Sequence, residues 1–354
     1  MSNSKMQLAA VIYGKDDLRM EERPVPLPGK GEVQIAVACV GICGSDIHLL
    51  REGALGTMVI KEPFVLGHEF SGTVTSIGEG VTSLKIGDRV ATEPAAACLK
   101  CELCVVDGRY NICRNRITFC GTPGSDGGLR AVCCHPANFC HRLPDSLTLE
   151  EGMLLEPLAV GVHGCERAGI KPGSSVLVTG AGPIGIATVL AAKASGATKV
   201  YITDVLQHRL DFAKSVGATH TLLVKASDDP QTVAAKVKDL MGCEAEASIE
   251  CSGAEEALSM AILATKPGKV VAVVGIGNTN QTIPAFHALV NEIDICFCFA
   301  YKKCHEIAIE LVTSDKVDIK PLITHRFKLD KALEAFELAR DRQGMKVAIA
   351  CNDY

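Results

Sequence analysis

Residues 175–185 read Ser-Val-Leu-Val-Thr-Gly-Ala-Gly-Pro-Ile-Gly, and the stretch they open, through Asp204, decides the fold. Ser175 to Thr179 is a short β-branched run with the length of a buried strand. Gly180 permits a tight turn, Gly182 lets a pyrophosphate approach the backbone, and Gly185 lets the following helix pack on the strand. Ile184 lies inside the same loop. A helix over Ile186 to Ser195 then points unpaired N–H groups and its positive dipole end at phosphate. A second strand, Val200 to Thr203, ends at Asp204, about 20 residues beyond the glycines, which is the spacing of a dinucleotide site. A carboxylate there accepts hydrogen bonds from the adenosine ribose and repels a 2′-phosphate, so the expected cofactor is NAD. Arg209 is the one nearby cation that could serve a phosphate, but it lies beyond the strand end.

Composition agrees. The 354 residues suggest about two domains. Hydrophobic residues make up 47% and charged residues 22%, which suits a globular chain with ample core. Net charge is −5 with no basic run, which argues against a nucleic-acid partner. No apolar stretch reaches the roughly 18 residues of a membrane span, and Met-Ser-Asn-Ser-Lys lacks the apolar core of a signal peptide. Seventeen cysteines then read as reduced thiols and metal ligands in a reducing, cytoplasmic compartment.

Taken in order, residues 6 to 40 alternate short apolar runs with Pro and Gly, as an all-β domain does, and 33–40 has the pattern of a half-buried strand. The Leu149 to Ala168 region is helical in pattern, with Glu156-Pro157 as an expected break. Strands then recur at Thr221 to Val224, Ala247 to Glu250, Val270 to Val274 and Ile293 to Phe299, separated by helical stretches. That alternation is expected of a parallel sheet covered by helices. Val274, Gly275 and Ile276 fall at a strand end with room for the nicotinamide half, and Cys298, Phe299 and Ala300 fall at the next. Beyond residue 300 the chain is expected to return to the first domain, beginning with a helix from Cys304 to Thr313.

Before the helix come two turn-rich stretches, Gly41-Ile-Cys-Gly-Ser-Asp-Ile-His48 and Gly67-His-Glu69. Cys43, His68 and Glu69 offer a thiolate, an imidazole and a carboxylate, which with one open position make a catalytic zinc site. Ser45 and His48 could pass a proton to solvent. Cys98, Cys101, Cys104 and Cys113 form a second cluster, spaced either for a closed tetrahedral zinc or as four free thiols.

These motifs together resemble the zinc-dependent medium-chain dehydrogenase/reductase family. Arg109-Tyr-Asn, Phe119-Cys-Gly-Thr-Pro123, Leu155-Glu-Pro-Leu158, Ile249-Glu-Cys-Ser-Gly-Ala254 and Pro321-Leu-Ile-Thr-His-Arg-Phe327 resemble its polyol branch, the sorbitol (L-iditol 2-) dehydrogenases. The resemblance covers essentially the whole chain. It implies an α/β architecture: a mostly-β GroES-like catalytic domain (1–159 and 300–354) and a Rossmann doubly wound domain (160–299). It implies zinc on Cys43, His68, Glu69 and water, with Glu156 holding that water or the substrate. It also implies a homotetramer with no membrane or nucleic-acid partner, oxidising a polyol at C2 with NAD. The family lobe usually has seven residues before its last cysteine, whereas this chain has eight, and some animal relatives lack the lobe zinc.

The expected substrate contacts are Glu156, Phe119, Tyr301, Leu49 and Ala300. Relatives commonly carry Tyr at the position of Leu49 and Arg at that of Ala300, so a less polar pocket is expected here. The alternatives are a threonine- or butanediol-type dehydrogenase, or an inactive NAD-binding structural protein. The retained Cys43, His68, Glu69 and Glu156 argue against the last.

Overall fold

The structure is a computed structural model that describes residues 5–353. The chain forms two compact units, one running to Glu156 and resuming at Asp318, the other Pro157–Val317.

The first unit is built on a seven-stranded sheet. Its central strand Glu32–Gly41 alternates half-buried and buried side chains before turning wholly inward, as a strand packed on a core does. Val33, Ile35 and Val37 on the buried face are fully covered, each stabilising the fold by roughly 1.5–3 kcal/mol through burial. The register around this strand places the chemistry. Gly41 stands opposite Glu69, the first residue of strand Glu69–Ile77. On its other side Gly41 stands opposite Ala348 of strand Lys346–Ala350. The side chains of Glu69 and Lys346, which open these two strands, both come against Gly41, where an added Cβ would meet Glu69 Oε2 and Lys346 Cδ.

The second unit is a six-stranded sheet, parallel throughout. Its order is His220–Leu223, Lys199–Asp204, Ser175–Thr179, Ala245–Glu250, Thr265–Val273, Asp294–Phe297. In order of appearance that is 3-2-1-4-5-6, the doubly wound dinucleotide-binding topology. Every residue of Ser175–Thr179 is buried, so an unbroken apolar run is what a central parallel strand requires. The order reverses between this strand and Ala245–Glu250, the place where such sheets bind ligands.

Three expectations need correction. Glu156-Pro157 breaks nothing: one helix runs Leu149–Arg167 with Pro157 inside it. An interior proline costs about 3 kcal/mol, but Met153, Leu154, Leu155, Leu158 and Ala159 are buried to within 1% and outweigh it. The boundaries expected at 159/160 and 299/300 both fall inside the second unit. Helix Cys304–Thr313, expected in the first domain, belongs to the second unit. Cys304, Ala308 and Val312, one helical face, are buried, and the Cys304 sulfur lies 3.8 Å from Glu166 Oε2.

Candidate active site

In the first unit, Cys43 is the N-cap of helix Gly44–Glu52, and its own N–H donates to Asp46 Oδ2 at 2.9 Å. This cap fixes the thiol at the head of the helix, where the dipole favours a thiolate. Cys43, His68 and Glu69 each bring a donor atom within 4.8 Å of the others. His68 and Glu69 are buried, at 6% and 0% exposure. His68 Nδ1 faces Asp46 Oδ1 at 3.4 Å, which leaves Nε2, 3.4 Å from Ser45 Oγ, turned to the cluster. A carboxylate behind the ring is how a metal-ligating histidine is oriented.

The electrostatics fit a cation. Burial alone would lower the His68 pKa, but the Asp46 carboxylate and the Cys43 sulfur raise it well above the ordinary value. The pocket thus favours positive charge in a group that burial should neutralise. A soft sulfur, a nitrogen and an oxygen are the donor set of zinc, and three of them leave one position open.

Lys346, which sequence reasoning did not single out, is part of this site. It is 1% exposed. Its Nζ donates to Glu69 Oε1 and Oε2 at 2.7 and 2.6 Å and to the Ile42 carbonyl at 3.2 Å. Burial works against its charge, yet Glu69, then Cys43 and Glu156, raise its pKa above the ordinary lysine value. Gly41 makes room for the pair, since a Cβ there would collide with Glu69 Oε2. The available signal was a lysine opening an otherwise apolar strand, Lys-Val-Ala-Ile-Ala. Asp46 was also missed, although its place three residues after an N-cap is a capping signal.

The remaining expected residues divide. Glu156 is buried at 6% and lies within electrostatic reach of Lys346. Phe119 sets its ring edge-on to His68, centroids 6.5 Å apart. Ser45 and His48 sit three residues apart on one helix, hence on one face, and burial pushes the His48 pKa down. Leu49 is 1% exposed and packs in the hydrophobic core of the first unit. Tyr301 is likewise 1% exposed, its ring 5.4 Å from that of His305 in the second unit. Ala300 adopts φ 46°, a left-handed conformation that a side chain resists.

The four-cysteine lobe closes on itself around the short helix Glu102–Val105. Its sulfurs lie 3.4 Å (Cys101–Cys104), 3.5 Å (Cys98–Cys113), 3.8 Å (Cys101–Cys113) and 3.9 Å (Cys98–Cys104) apart. Four Zn–S bonds of about 2.3 Å in a tetrahedron put sulfurs about 3.8 Å apart. The Lys100 backbone N–H lowers the Cys98 pKa to about 6, whereas burial pushes Cys104 up to about 12.

In the second unit the glycine loop forms as its spacing requires. Gly180 has φ 90°, and a Cβ on Gly185 would collide with the Gly180 carbonyl oxygen. Gly182 caps helix Pro183–Ala194, and Ile184 lies in its first turn. Asp204 accepts from Ala181 N–H at 2.6 Å through Oδ2 and from Leu206 N–H at 2.9 Å through Oδ1. Each oxygen keeps a lone pair for a ribose hydroxyl. Arg209 is nearer the loop than its sequence position suggested, because a Cβ on Gly182 would lie 3.6 Å from its guanidinium. Sequence reasoning missed Glu250, 1% exposed at the end of its strand. It accepts from the N–H groups of Ser252 and Gly253 at 2.6 and 2.9 Å, and its backbone oxygen receives Val274 N–H and Gly275 N–H. Val274, Gly275 and Ile276 thus follow one strand end, and Cys298, Phe299 and Ala300 follow the neighbouring one, held by Cys298 N–H to the Val273 carbonyl.

Comparison with known proteins places this arrangement. Residues 29–145 match the alcohol dehydrogenase GroES-like domain, and residues 183–314 match the zinc-binding dehydrogenases. The chain belongs to the zinc-dependent medium-chain dehydrogenase/reductase family. It is 47% identical over 352 residues to sorbitol dehydrogenase of Gallus gallus, covering 99% of this chain and 98% of that one. A solved Sinorhizobium meliloti protein bound to NADP is 30% identical with a TM-score of 0.88, over 98% of this chain and 99% of that one. An Escherichia coli protein described as a short chain alcohol dehydrogenase, complexed with NADH, is 26% identical with a TM-score of 0.89, over 98% and 100%. Among the described residues no helix is long and apolar enough to cross a membrane.

Proposed function

We propose that this protein oxidises a secondary alcohol of a polyol such as sorbitol, xylitol or L-iditol at its second carbon to the ketose, with NAD as hydride acceptor and zinc as metal. The observation that carries this reading is the joint presence of the Cys43–His68–Glu69 donor trio and 47% identity along nearly the whole chain to a sorbitol dehydrogenase. Bound zinc would supply Lewis-acid polarisation of the alcohol oxygen, and bound NAD would supply the hydride acceptor.

The chain's own residues do the rest. Cys43, His68 and Glu69 would hold the metal, and Asp46 fixes the His68 ring from behind. Lys346 holds Glu69 and offsets part of its charge. Ser45, whose Oγ is 3.4 Å from His68 Nε2, receives the hydroxyl proton. His48, whose lowered pKa leaves it neutral near pH 7, passes the proton to solvent. Glu156 accepts from a substrate hydroxyl or an ordered water, and Phe119 covers the His68 edge against bulk solvent. In the second unit the N-terminus of helix Pro183–Ala194 receives the pyrophosphate. Asp204 accepts from the adenosine ribose and disfavours a 2′-phosphate. Since relatives of this fold take NADP as well as NADH, the fold leaves that choice to Asp204 and Arg209. Cys98, Cys101, Cys104 and Cys113, whose sulfurs lie 3.4–3.9 Å apart, would hold a second, structural zinc. A cytoplasmic homotetramer completes the reading, supported by family resemblance and by seventeen free thiols.

A panel of sorbitol, xylitol, L-iditol, 2,3-butanediol and threonine with NAD tests the assignment. A polyol is expected to give the highest kcat/KM. Butanediol or threonine turning over far better than any polyol would move the same chemistry to a neighbouring branch, and no turnover with any of them would favour an inactive NAD-binding protein.

A further inference from the structure

A third donor cluster lies in the second unit, away from both zinc assignments. His163, Glu166 and Cys304 each bring a donor atom within 4.8 Å of the others. We propose that His163, Glu166 and Cys304 form a further binding site for a divalent transition-metal ion, with zinc as the first candidate.

His163 is 3% exposed, and its Nδ1 has no hydrogen-bond partner among the described residues. A buried nitrogen left in that state is costly, so its surroundings should contain what it was placed to meet. They contain Glu166 Oε2, 3.8 Å from Nδ1. His163 and Glu166 lie three residues apart on helix Leu149–Arg167 and so share a face. From a distant part of the sequence comes Cys304, fully buried, its sulfur 3.8 Å from the same Glu166 oxygen. The nitrogen-to-oxygen gap is too long for a hydrogen bond, the sulfur-to-oxygen gap is a long one, and both suit atoms with an ion between them. Metal bonds of about 2.3 Å to sulfur and about 2.1 Å to nitrogen and oxygen put S···O near 3.6 Å and N···O near 3.4 Å in a tetrahedron. A few tenths of an ångström of movement by Glu166, whose side chain is 48% exposed, closes the difference.

Cys304 is suited to be the anionic ligand. It is the first residue of helix Cys304–Thr313, where the dipole favours a thiolate. The thiol rests 3.0 Å from the Lys302 carbonyl and would give up its proton on binding. One thiolate, one imidazole and one carboxylate select zinc or cobalt over calcium or magnesium, which take oxygen ligands. Three ligands leave a fourth position for water or the second Glu166 oxygen. The ion would pin the first turn of helix Cys304–Thr313 to helix Leu149–Arg167, just after the Ala300–Tyr301 turn. No local motif announces the site, because Cys304 lies 138 residues from Glu166.

The test uses the full-length chain, loaded with zinc and equilibrated against a competing chelator at set free zinc. Wild type is compared with Cys304→Ser, Glu166→Ala, His68→Ala and Cys98→Ser, with folding checked by circular dichroism. Cys304→Ser and Glu166→Ala are each expected to weaken one ion at least about tenfold, while the ions lost in His68→Ala and Cys98→Ser are retained. In cobalt-loaded protein, the difference spectrum of wild type minus Cys304→Ser should carry a thiolate-to-cobalt charge-transfer band. Zinc affinities and counts unchanged in Glu166→Ala and Cys304→Ser, or a featureless cobalt difference spectrum, overturn the proposal. Should Cys304→Ser fail to fold, Glu166→Ala, altered on a half-exposed side chain, decides it alone.

Discussion

Replacing Lys346 with Met separates the pairing of Glu69 from its service as a metal ligand. The change keeps the length of the stem and removes one charge. In metal-free protein it strands a Glu69 carboxylate that is fully buried and otherwise held by two contacts of 2.6 and 2.7 Å from Lys346. Breaking a buried pair by removing one partner costs about 3–5 kcal/mol. In zinc-loaded protein Glu69 faces a metal cation, so the stranded charge is compensated and the loss should be smaller, about 1–3 kcal/mol. The difference, about 2 kcal/mol, must reappear as tighter zinc binding in the variant, roughly 30-fold. Denaturant midpoints of chelator-treated and zinc-loaded protein, wild type against Lys346→Met, measure it. Equal losses in both states would mean that Glu69 is not a metal ligand. No loss in either would mean that the buried pair does not form.

Other outcomes follow from the same geometry. Asp204→Ala removes the carboxylate held by Ala181 N–H and Leu206 N–H and should narrow the kcat/KM preference for NAD over NADP by about tenfold or more. Wild type that used NADP as well as NAD would refute the role of Asp204. Cys98→Ser should release one zinc per chain from the lobe, leaving the catalytic zinc; an unchanged zinc count would make the lobe four free thiols. His135, fully buried with Nε2 at 2.9 Å from the Glu93 carbonyl oxygen, has its pKa lowered by burial to about 4. Its folded value lies below the unfolded 6.5, so the stability of the neutral ring is fully present above pH 6.5 and is lost as pH falls toward 4. That amounts to as much as about 3 kcal/mol. A His135→Asn variant should show a flatter acid limb in urea midpoints measured from pH 7 to pH 4, and an unchanged limb would rule His135 out as its source.

The parts of this protein legible in its sequence are those whose chemistry is local. Ser175–Thr179, the glycine loop and Asp204 lie within one supersecondary unit, so spacing alone implied the tight turn at Gly180, the close packing at Gly185 and the strand end at Asp204. The Cys43–His68–Glu69 trio was legible because each member sits in a glycine-rich turn and the donor types suit one metal. Lys346 was not, because its partnership with Glu69 depends on the register of two strands around Gly41, which no short pattern encodes. Pro157 shows tertiary burial overriding a local breaker. His163 and Cys304 come together only through the fold of the second unit.

The most direct test of the account is the reduction of NAD by sorbitol, followed as NADH absorbance, in protein stripped with a chelator and then given back zinc. Activity should vanish on stripping and return with zinc in wild type, while His68→Ala binds NAD yet stays inactive in both states. Undiminished sorbitol oxidation by the metal-free protein, or by His68→Ala, would contradict it.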